Sequence, residues 1–412
     1  VATIRAASES ARIPSPRKPW LEELAPTYDL NRLPQRRDTE LLLGVVDDPD
    51  HQDQHPEYFR PDDEGHIAFY GASGSGKSTA LRSLAIAAAI TPRSGPVDVY
   101  ALDAAGGGLA MLESLPHVGA VVEADDDERV TRLLRYLTDL IDTRSERYAA
   151  ARAATITDYR RISGNQEEPR ILLLVDGIGS FRTEYEKNSD GLAVLDLFQR
   201  ILVDGRGVGV HVAAGAERPQ AISTSMAGTF QRKVVLRQTD EEGYMYFNLP
   251  KDVLSPKSPP GRAMQVDRKD EELQLAILGD NVNVLAQSRL VESFGHYLER
   301  RGRTRPTGVG KLPDELSASA LPKTVAGLPT LGMSSDTLGP WGYTPVGAVL
   351  VAGQAESGGV TALRWLATTL RAWDPDVVRI HISGRRSSLA RVEGLWDTSV
   401  TGDERIRDAL TA

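Results

Sequence analysis

The sequence predicts an α/β protein built on a mostly parallel sheet, and three observations carry that reading. A glycine-rich loop stands between an apolar run and a helix-forming one at residues 66–85. Apolar strand-like segments alternate with amphipathic helical ones from about residue 41 to about 290. The strand–loop–helix layout then recurs near residue 350.

Residues 1–40 carry Pro14, Pro16, Pro19 and Pro34, which break any long helix, so this stretch reads as an extended lead-in whose Trp20, Leu21 and Leu24 pack on the following domain. Leu41–Val46 reads as a short strand before a polar loop. His66–Tyr70 is an apolar run, and Thr79–Ala85 has helical composition. Further strands are expected at Val97–Leu102, Val118–Val122, Ile171–Val175, Val208–Ala213, Lys233–Leu236 and Leu273–Leu278. Between the second and third of these, Val130, Leu133, Leu134, Leu137, Leu140 and Ile141 fall on one helical face and Arg129, Arg132, Arg135, Asp139 and Arg144 on the rest. In sheets of this kind ligands sit beyond the carboxyl ends of the strands. Residues 300–329 contain Pro306, Gly308, Gly310, Pro313 and Pro322 and read as a linker between a domain at 41–299 and another at 330–412. There Gly347–Ala352 reads as a strand, Gly353–Thr361 as a loop and Leu363–Leu370 as a helix, the start of a second, degenerate and incomplete phosphate-loop domain.

The first loop reads Gly71-Ala72-Ser73-Gly74-Ser75-Gly76-Lys77-Ser78, a complete G-x-x-x-x-G-K-S pattern. Its glycines let successive N–H groups converge on one point, which suits phosphate oxygens, and the helix opening at Thr79 aims its positive end there. Lys77 would reach the β- and γ-phosphates of ATP or GTP, and Ser78 would ligate Mg²⁺. Ile171–Val175 ends in Asp176, placed to hold the metal from the other side. The next residue is Gly177, where a positioned base would polarise the attacking water; losing such a base costs about 10²–10⁴ in rate. Binding is therefore expected, with slow hydrolysis that a Glu introduced at 177 would speed. The second loop has Gly359 and Val360 in place of the lysine and the hydroxyl, and is expected only to support the fold. Asp47, Asp48, Asp50, His51, Asp53 and His55 form a metal-like cluster without ligand spacing, read as a solvated loop. Asp125–Glu128 suits a helix start.

These residues, followed in order by Leu102–Leu109, Leu115–Gly119, Asp158–Arg161, Val175–Gly177, Gly205–His211 and Pro260–Ala263, resemble FtsK/SpoIIIE-type motor ATPases. Leu-Asp-x-x-Gly-Gly-Gly-Leu with Val-Asp-Gly, and the Val46–Pro49 lead-in with Gln52 and Gln54, are most similar to the middle ATPase module of EccC, the motor of type VII secretion, followed by the start of its last module. The resemblance implies a RecA-like fold and Mg·ATP held by residues 71–79 and Asp176. It implies assembly with other copies or modules of the motor, in a ring such as a hexamer or in a chain. It also implies a cytoplasmic location at the cytoplasmic membrane secretion complex, through regions outside this chain, and WXG-type secreted proteins as cargo. Gly215-Ala216-Glu217-Arg218 departs from the family's Thr-x-x-Arg, so a γ-phosphate sensor is not expected there. Arg206, Arg218 and Arg232 are candidates for an arginine acting on a neighbour.

Composition narrows the alternatives. The chain contains no cysteine, which excludes disulfides, thiolate zinc sites and cysteine nucleophiles. No apolar run approaches the roughly 20 residues of a membrane helix, and no signal peptide opens the chain. A net charge of −9 disfavours a broad grip on DNA phosphates and so counts against a DNA translocase of the same class. An intact Lys77, Ser78 and Asp176 count against a scaffold with a vestigial site.

Overall fold

A computed structural model describes residues 21–401 except 35–36, 92–94, 188, 252, 336, 355 and 384–386, together with residues 3, 7, 10 and 11. The chain divides into two compact units, residues 1–309 and 310–412.

The first unit is a ten-stranded sheet in the order β2-β1-β10-β9-β8-β3-β7-β6-β4-β5. Its strands are β1 Leu41–Asp48, β2 Asp53–Phe59, β3 Ile67–Tyr70, β4 Val97–Asp103, β5 Val118–Glu123, β6 Arg170–Asp176, β7 Val210–Ala216, β8 Arg232–Leu236, β9 Arg262–Gln265 and β10 Glu272–Leu275. The six strands from β8 to β5 run parallel, and β9, β10, β1 and β2 extend the sheet in antiparallel fashion. The principal helices are α1 Lys77–Ala89, α2 Asp127–Ala151, α3 Ile156–Ser163, α4 Ile178–Tyr185, α5 Ser189–Asp204 and α6 Val284–Arg300. Alternation along β3 shows the layering: Ile67 and Phe69 join Leu81 and Leu84 of α1 in the core on one face, while Ala68 and Tyr70 join Leu134 of α2 and Phe198 of α5 on the other. The fold is thus three layers with the sheet in the middle, as expected for a mostly parallel sheet. Among the described residues no helix is long and apolar enough to cross a membrane.

A buried ionic lattice closes the end of the sheet away from the phosphate loop. Arg170, first residue of β6 and 1% exposed, pairs with Asp62 and with Asp38, the latter at 3.2 Å, and donates to His211 Nε2 at 3.1 Å. Arg160 of α3 pairs with the same Asp38 at 2.5 Å. His211 Nδ1–H donates to the carbonyl of Gly65 at 2.8 Å, and burial beside Arg170 holds its pKa well below the usual histidine range. Two segments that carry the family resemblance, Asp158–Arg161 and Gly205–His211, therefore help tie the elements together at this end of the sheet.

Several sequence expectations are corrected. The polar loop after β1 is in part a strand: β2 folds back as an antiparallel hairpin, pairing Val46 with His55 and Asp48 with Asp53. Its polar residues and Pro56 disguise it, and both are tolerated because β2 is the edge strand. The Asp/His cluster is the tip of that hairpin, where Asp48 accepts from the His51 backbone and ring. Among the described residues no group of His, Asp and Glu is arranged to hold a metal. Strand β7 begins at Val210, because Arg206–Val208 forms a 3-10 turn. Leu24 packs as expected and Leu21 does not, at 45% exposure; Trp20 lies outside the described residues. Residues 300–309 pack on the first unit, with Arg303 pairing Asp98 at 2.7 Å and Tyr100 donating to the Thr307 carbonyl at 2.9 Å.

The second unit contains a three-stranded antiparallel sheet, β11 Thr324–Val325, β12 Leu328–Met333 and β13 Pro340–Gly342. It also holds a helix α7, Gly359–Trp373, and a parallel pair, β14 Ile380–Ser383 and β15 Thr398–Thr401. Gly347–Ala352, expected as a strand, pairs with none among the described residues, and Leu350 is 89% exposed. An apolar run becomes a strand only where neighbours accept its hydrogen bonds.

Candidate functional site

The loop leaves β3 where its neighbours end. Gly71 N–H donates to the Ala216 carbonyl of β7 at 3.0 Å and Ala72 N–H to the Arg237 carbonyl beyond β8 at 2.8 Å, so two strands hold its first turn. Gly74 and Gly76 have φ of 72° and 115°, and Gly76 caps α1. A Cβ on Gly76 would lie 2.9 Å from the Gly261 nitrogen, and that nitrogen donates to the Ser75 carbonyl at 2.8 Å. The Pro260–Ala263 segment thereby braces the loop.

Lys77 is half folded back: Nζ donates to the Gly71 carbonyl at 2.7 Å and the Ala72 carbonyl at 3.0 Å. Burial lowers its pKa, while Glu217 and Asp176 oppose that shift. Asp176, the last residue of β6, is fully buried, and its carboxyl pKa is raised by burial, with the adjacent Ser78 hydroxyl pulling the other way. Neither of its oxygens makes a hydrogen bond of good geometry among the described residues. A buried carboxylate lacking donors, beside a serine hydroxyl and an ammonium group, fits a hydrated divalent cation carried in with a phosphate chain.

The Gly106–Gly108 turn closes over this pair. Asp103 accepts from the backbone N–H groups of Ala105, Gly107 and Leu109, shaping the turn. A Cβ on Gly108 would stand 3.2 Å from Asp176 Oδ2 and 3.3 Å from Ser78 Cβ, so any larger residue would crowd this pair. Arg82 of α1, which the sequence did not single out, donates to the Gly108 carbonyl and to Thr79 Oγ1, both at 2.9 Å.

Together Ser73, Gly74, Gly76, Lys77, Ser78, Thr79, Arg82 and Asp176 line one cavity of about 570 Å³, a volume suited to a nucleotide. Glu217 lines it too, one residue past the end of β7, the strand between β3, which leads into the loop, and β6, which ends in Asp176. Sequence reasoning treated Gly215–Arg218 only as a lost sensor. Its signal was a carboxylate directly following a fully buried strand.

Gly177 is more than an absent base. It adopts φ 74°, ψ 51° as the cap of α4, and a Cβ there would meet the Ala104 carbonyl oxygen at 3.0 Å and its carbon at 3.1 Å. The arginines also separate. Arg206 donates to the Asp62 and Asp63 carbonyls at the end of the sheet opposite the loop. Arg232 is buried and paired with Glu57 at 2.6 Å and Glu64 at 3.5 Å, which leaves it nothing to project toward a neighbour. Arg218 is exposed on a polar groove of about 940 Å³ shared with Glu217, Arg182 and Glu184.

The second unit repeats the loop's backbone without its chemistry. Glu356 and Gly358 have φ of 68° and 90°, matching Gly74 and Gly76 in sequence order. A Cβ on Gly353 would meet Ser357 Oγ at 2.3 Å, as one on Gly71 would meet Ser75 Oγ at 2.4 Å. Gly359 and the half-exposed Val360 then stand where Lys77 and Ser78 stand in the first.

Asp176→Asn is expected to stabilise the ligand-free protein by on the order of 1–2 kcal/mol at pH 7, since it removes a buried charge that no hydrogen bond of good geometry satisfies. Because the folded pKa lies above the unfolded value, the native wild type takes up a proton first on acidification. The advantage therefore shrinks as pH falls through the raised value. Denaturant unfolding at pH 7 and pH 4 checks both the sign and the trend.

A glycine loop between strand and helix, a lysine–serine pair at its end and a facing buried aspartate define a phosphate-loop nucleotide-binding domain of the NTPase fold. The chain belongs to the FtsK/SpoIIIE family, whose model matches residues 34–247. Relatives include the ESX-1 secretion system protein EccCb1 of Mycolicibacterium smegmatis (strain MKD8), 28% identical over 70% of this chain and 50% of that one. The ESX secretion system protein EccC of Thermomonospora curvata is 27% identical over 90% of this chain and 29% of its own. The chain thus spans half or less of the length of these relatives. Among solved structures, ATPases 2 and 3 of Geobacillus thermodenitrificans EssC share the fold with a TM-score of 0.72, 19% identity and coverage of 95% of this chain and 75% of that one. ATPases 2 and 3 of Thermomonospora curvata EccC, in complex with a signal sequence peptide, give 0.69, 24%, 92% and 70%.

Proposed function

We propose that residues 41–299 form a Mg·ATP-binding module of a type VII secretion motor, with 300–329 leading into a degenerate second module at 330–412. ATP acts as a bound conformational effector, turned over slowly, in a motor that exports WXG-type proteins. Its expected surroundings are other copies or modules of the motor and a membrane secretion complex on the cytoplasmic side, reached through regions outside these residues. One observation carries the reading: Lys77, Ser78 and Asp176 converge on one cavity, while Gly177 supplies no base and holds a left-handed backbone that strains any side chain placed there. The names of the relatives support the secretion assignment. When bound, the metal would supply charge neutralisation to the phosphates; Lys77 and the loop amides would hold them, and Ser78 and Asp176 would hold the metal.

Calorimetry on the whole chain is expected to show one Mg·ATP bound, none of it at Gly353–Val360, with single-turnover hydrolysis far slower than the roughly 1–100 per second of kinases. Two bound nucleotides, or turnover in that range, would overturn the reading. Crosslinking in the native cell to a WXG-type protein tests the cargo.

A further inference from the structure

The cavity that holds the phosphate loop continues past it, walled by Pro26, Thr27, Leu275, Ile277 and Val282. With phosphates at the loop, the base of a nucleotide has to lie in this more apolar part. Two buried glutamines line this cavity, and one of them is engaged at both ends: Gln274 accepts from Arg262 Nε at 3.0 Å and donates to the Pro260 carbonyl at 3.1 Å. The other is Gln287, in the first turn of α6 and 5% exposed.

Its amide has a fixed orientation. Nε2 donates to the Leu278 carbonyl at 2.9 Å and to the Asn281 carbonyl at 2.6 Å. Both amide protons are thus used, and a flipped amide would point its oxygen at two carbonyl oxygens. The carbonyl oxygen Oε1 is what remains. It has no protein partner among the described residues and is not among the polar atoms sealed in the interior. An acceptor without its own donor, held rigidly in a largely apolar wall, selects a ligand that brings a donor.

We infer that Gln287 reads the base: Oε1 accepts from the exocyclic 6-amino group of adenine and disfavours guanine, whose 6-oxo group sets acceptor against acceptor. This rests on the nucleotide-binding reading above and adds to it the residue that discriminates the purine. An oxygen pre-oriented by two buried hydrogen bonds discriminates strongly, because the wrong base leaves a polar group unpaired. A tenfold to hundredfold preference, roughly 1.4 to 2.7 kcal/mol, is the expected scale.

The test is Mg²⁺-dependent binding of ATP, GTP, ITP and inorganic tripolyphosphate to the whole chain, wild type and Gln287→Leu, by calorimetry. Wild type should prefer ATP to GTP and to ITP, which carries the same 6-oxo group, by at least tenfold. Gln287→Leu should lose about tenfold for ATP, change little for GTP and bring the two together, with tripolyphosphate affinity unchanged. Unchanged tripolyphosphate binding shows that the cavity survives the substitution. Gln287→Met, which keeps the length without the oxygen, should behave as Gln287→Leu. Equal wild-type affinities for ATP and GTP, or a full ATP preference retained in both variants, would overturn the inference alone. If wild type binds neither tripolyphosphate nor any nucleotide, the phosphate-loop reading falls with it.

Discussion

Replacing Lys77 with alanine is expected to weaken Mg·ATP binding at least a hundredfold. In the free protein the ammonium group bonds the Gly71 and Ala72 carbonyls, two acceptors of the loop itself. Phosphate oxygens are stronger partners, and charge-assisted bonds of this kind contribute about 1.5–3 kcal/mol each. Losing contacts to more than one phosphate oxygen therefore removes about 3 kcal/mol, or somewhat over two decades of affinity. The ligand-free protein should lose only about 1–3 kcal/mol, the usual cost of leaving a buried carbonyl such as that of Gly71 without its donor. Calorimetry paired with thermal unfolding separates the outcomes: an unchanged affinity would remove Lys77 from the site, and a collapsed melting temperature would make it a structural residue instead.

Gly177→Glu is expected to destabilise the fold by about 3 kcal/mol and to leave hydrolysis no faster. A left-handed backbone costs an ordinary residue about 1–2 kcal/mol. The new Cβ adds overpacking against the Ala104 carbonyl, for which about 1–3 kcal/mol is usual. Any adjustment that admits the side chain shifts Ala104, which is hydrogen-bonded to the Asp176 carbonyl at 2.9 Å, and so disturbs the metal-side acid. Read from the sequence alone, the same substitution should restore a base and speed turnover; the backbone angle reverses that expectation. Gly177→Ala is the control, since it carries nearly the whole penalty without the carboxylate. A Gly177→Glu protein as stable as wild type and hydrolysing ATP tenfold faster would refute the argument.

What was legible in the chain was what short segments encode. The loop from Gly71 to Ser78 and the apolar strand ending in Asp176 each announce their role within eight residues, and the core strands of the parallel sheet follow from apolar runs. The antiparallel extension was harder. Strand β2 is rich in polar residues and β9 is short, and both exist because partner strands accept their hydrogen bonds. The same limit hid Arg82, Glu217 and Gln287, whose roles come from what the sheet order places beside the loop rather than from any local pattern. Gly347–Ala352 shows the converse: its pattern is that of a strand, but the pairing that would make it one is absent among the described residues.

The placement of β1 between β2 and β10 bears on how the molecule is born. Residues 44–47 are hydrogen-bonded to residues 272–275, so the sheet cannot be completed until more than two hundred further residues have been made. High contact order of this sort slows folding and leaves partly formed sheets exposed in the meantime. On the ribosome the phosphate loop emerges early, yet its brace at Gly261 and the cavity wall from Leu275 to Gln287 arrive late. A nascent chain should therefore gain its nucleotide pocket in a single late step, after α6 has cleared the exit tunnel, and ATP can favour the finished domain but cannot rescue an earlier intermediate.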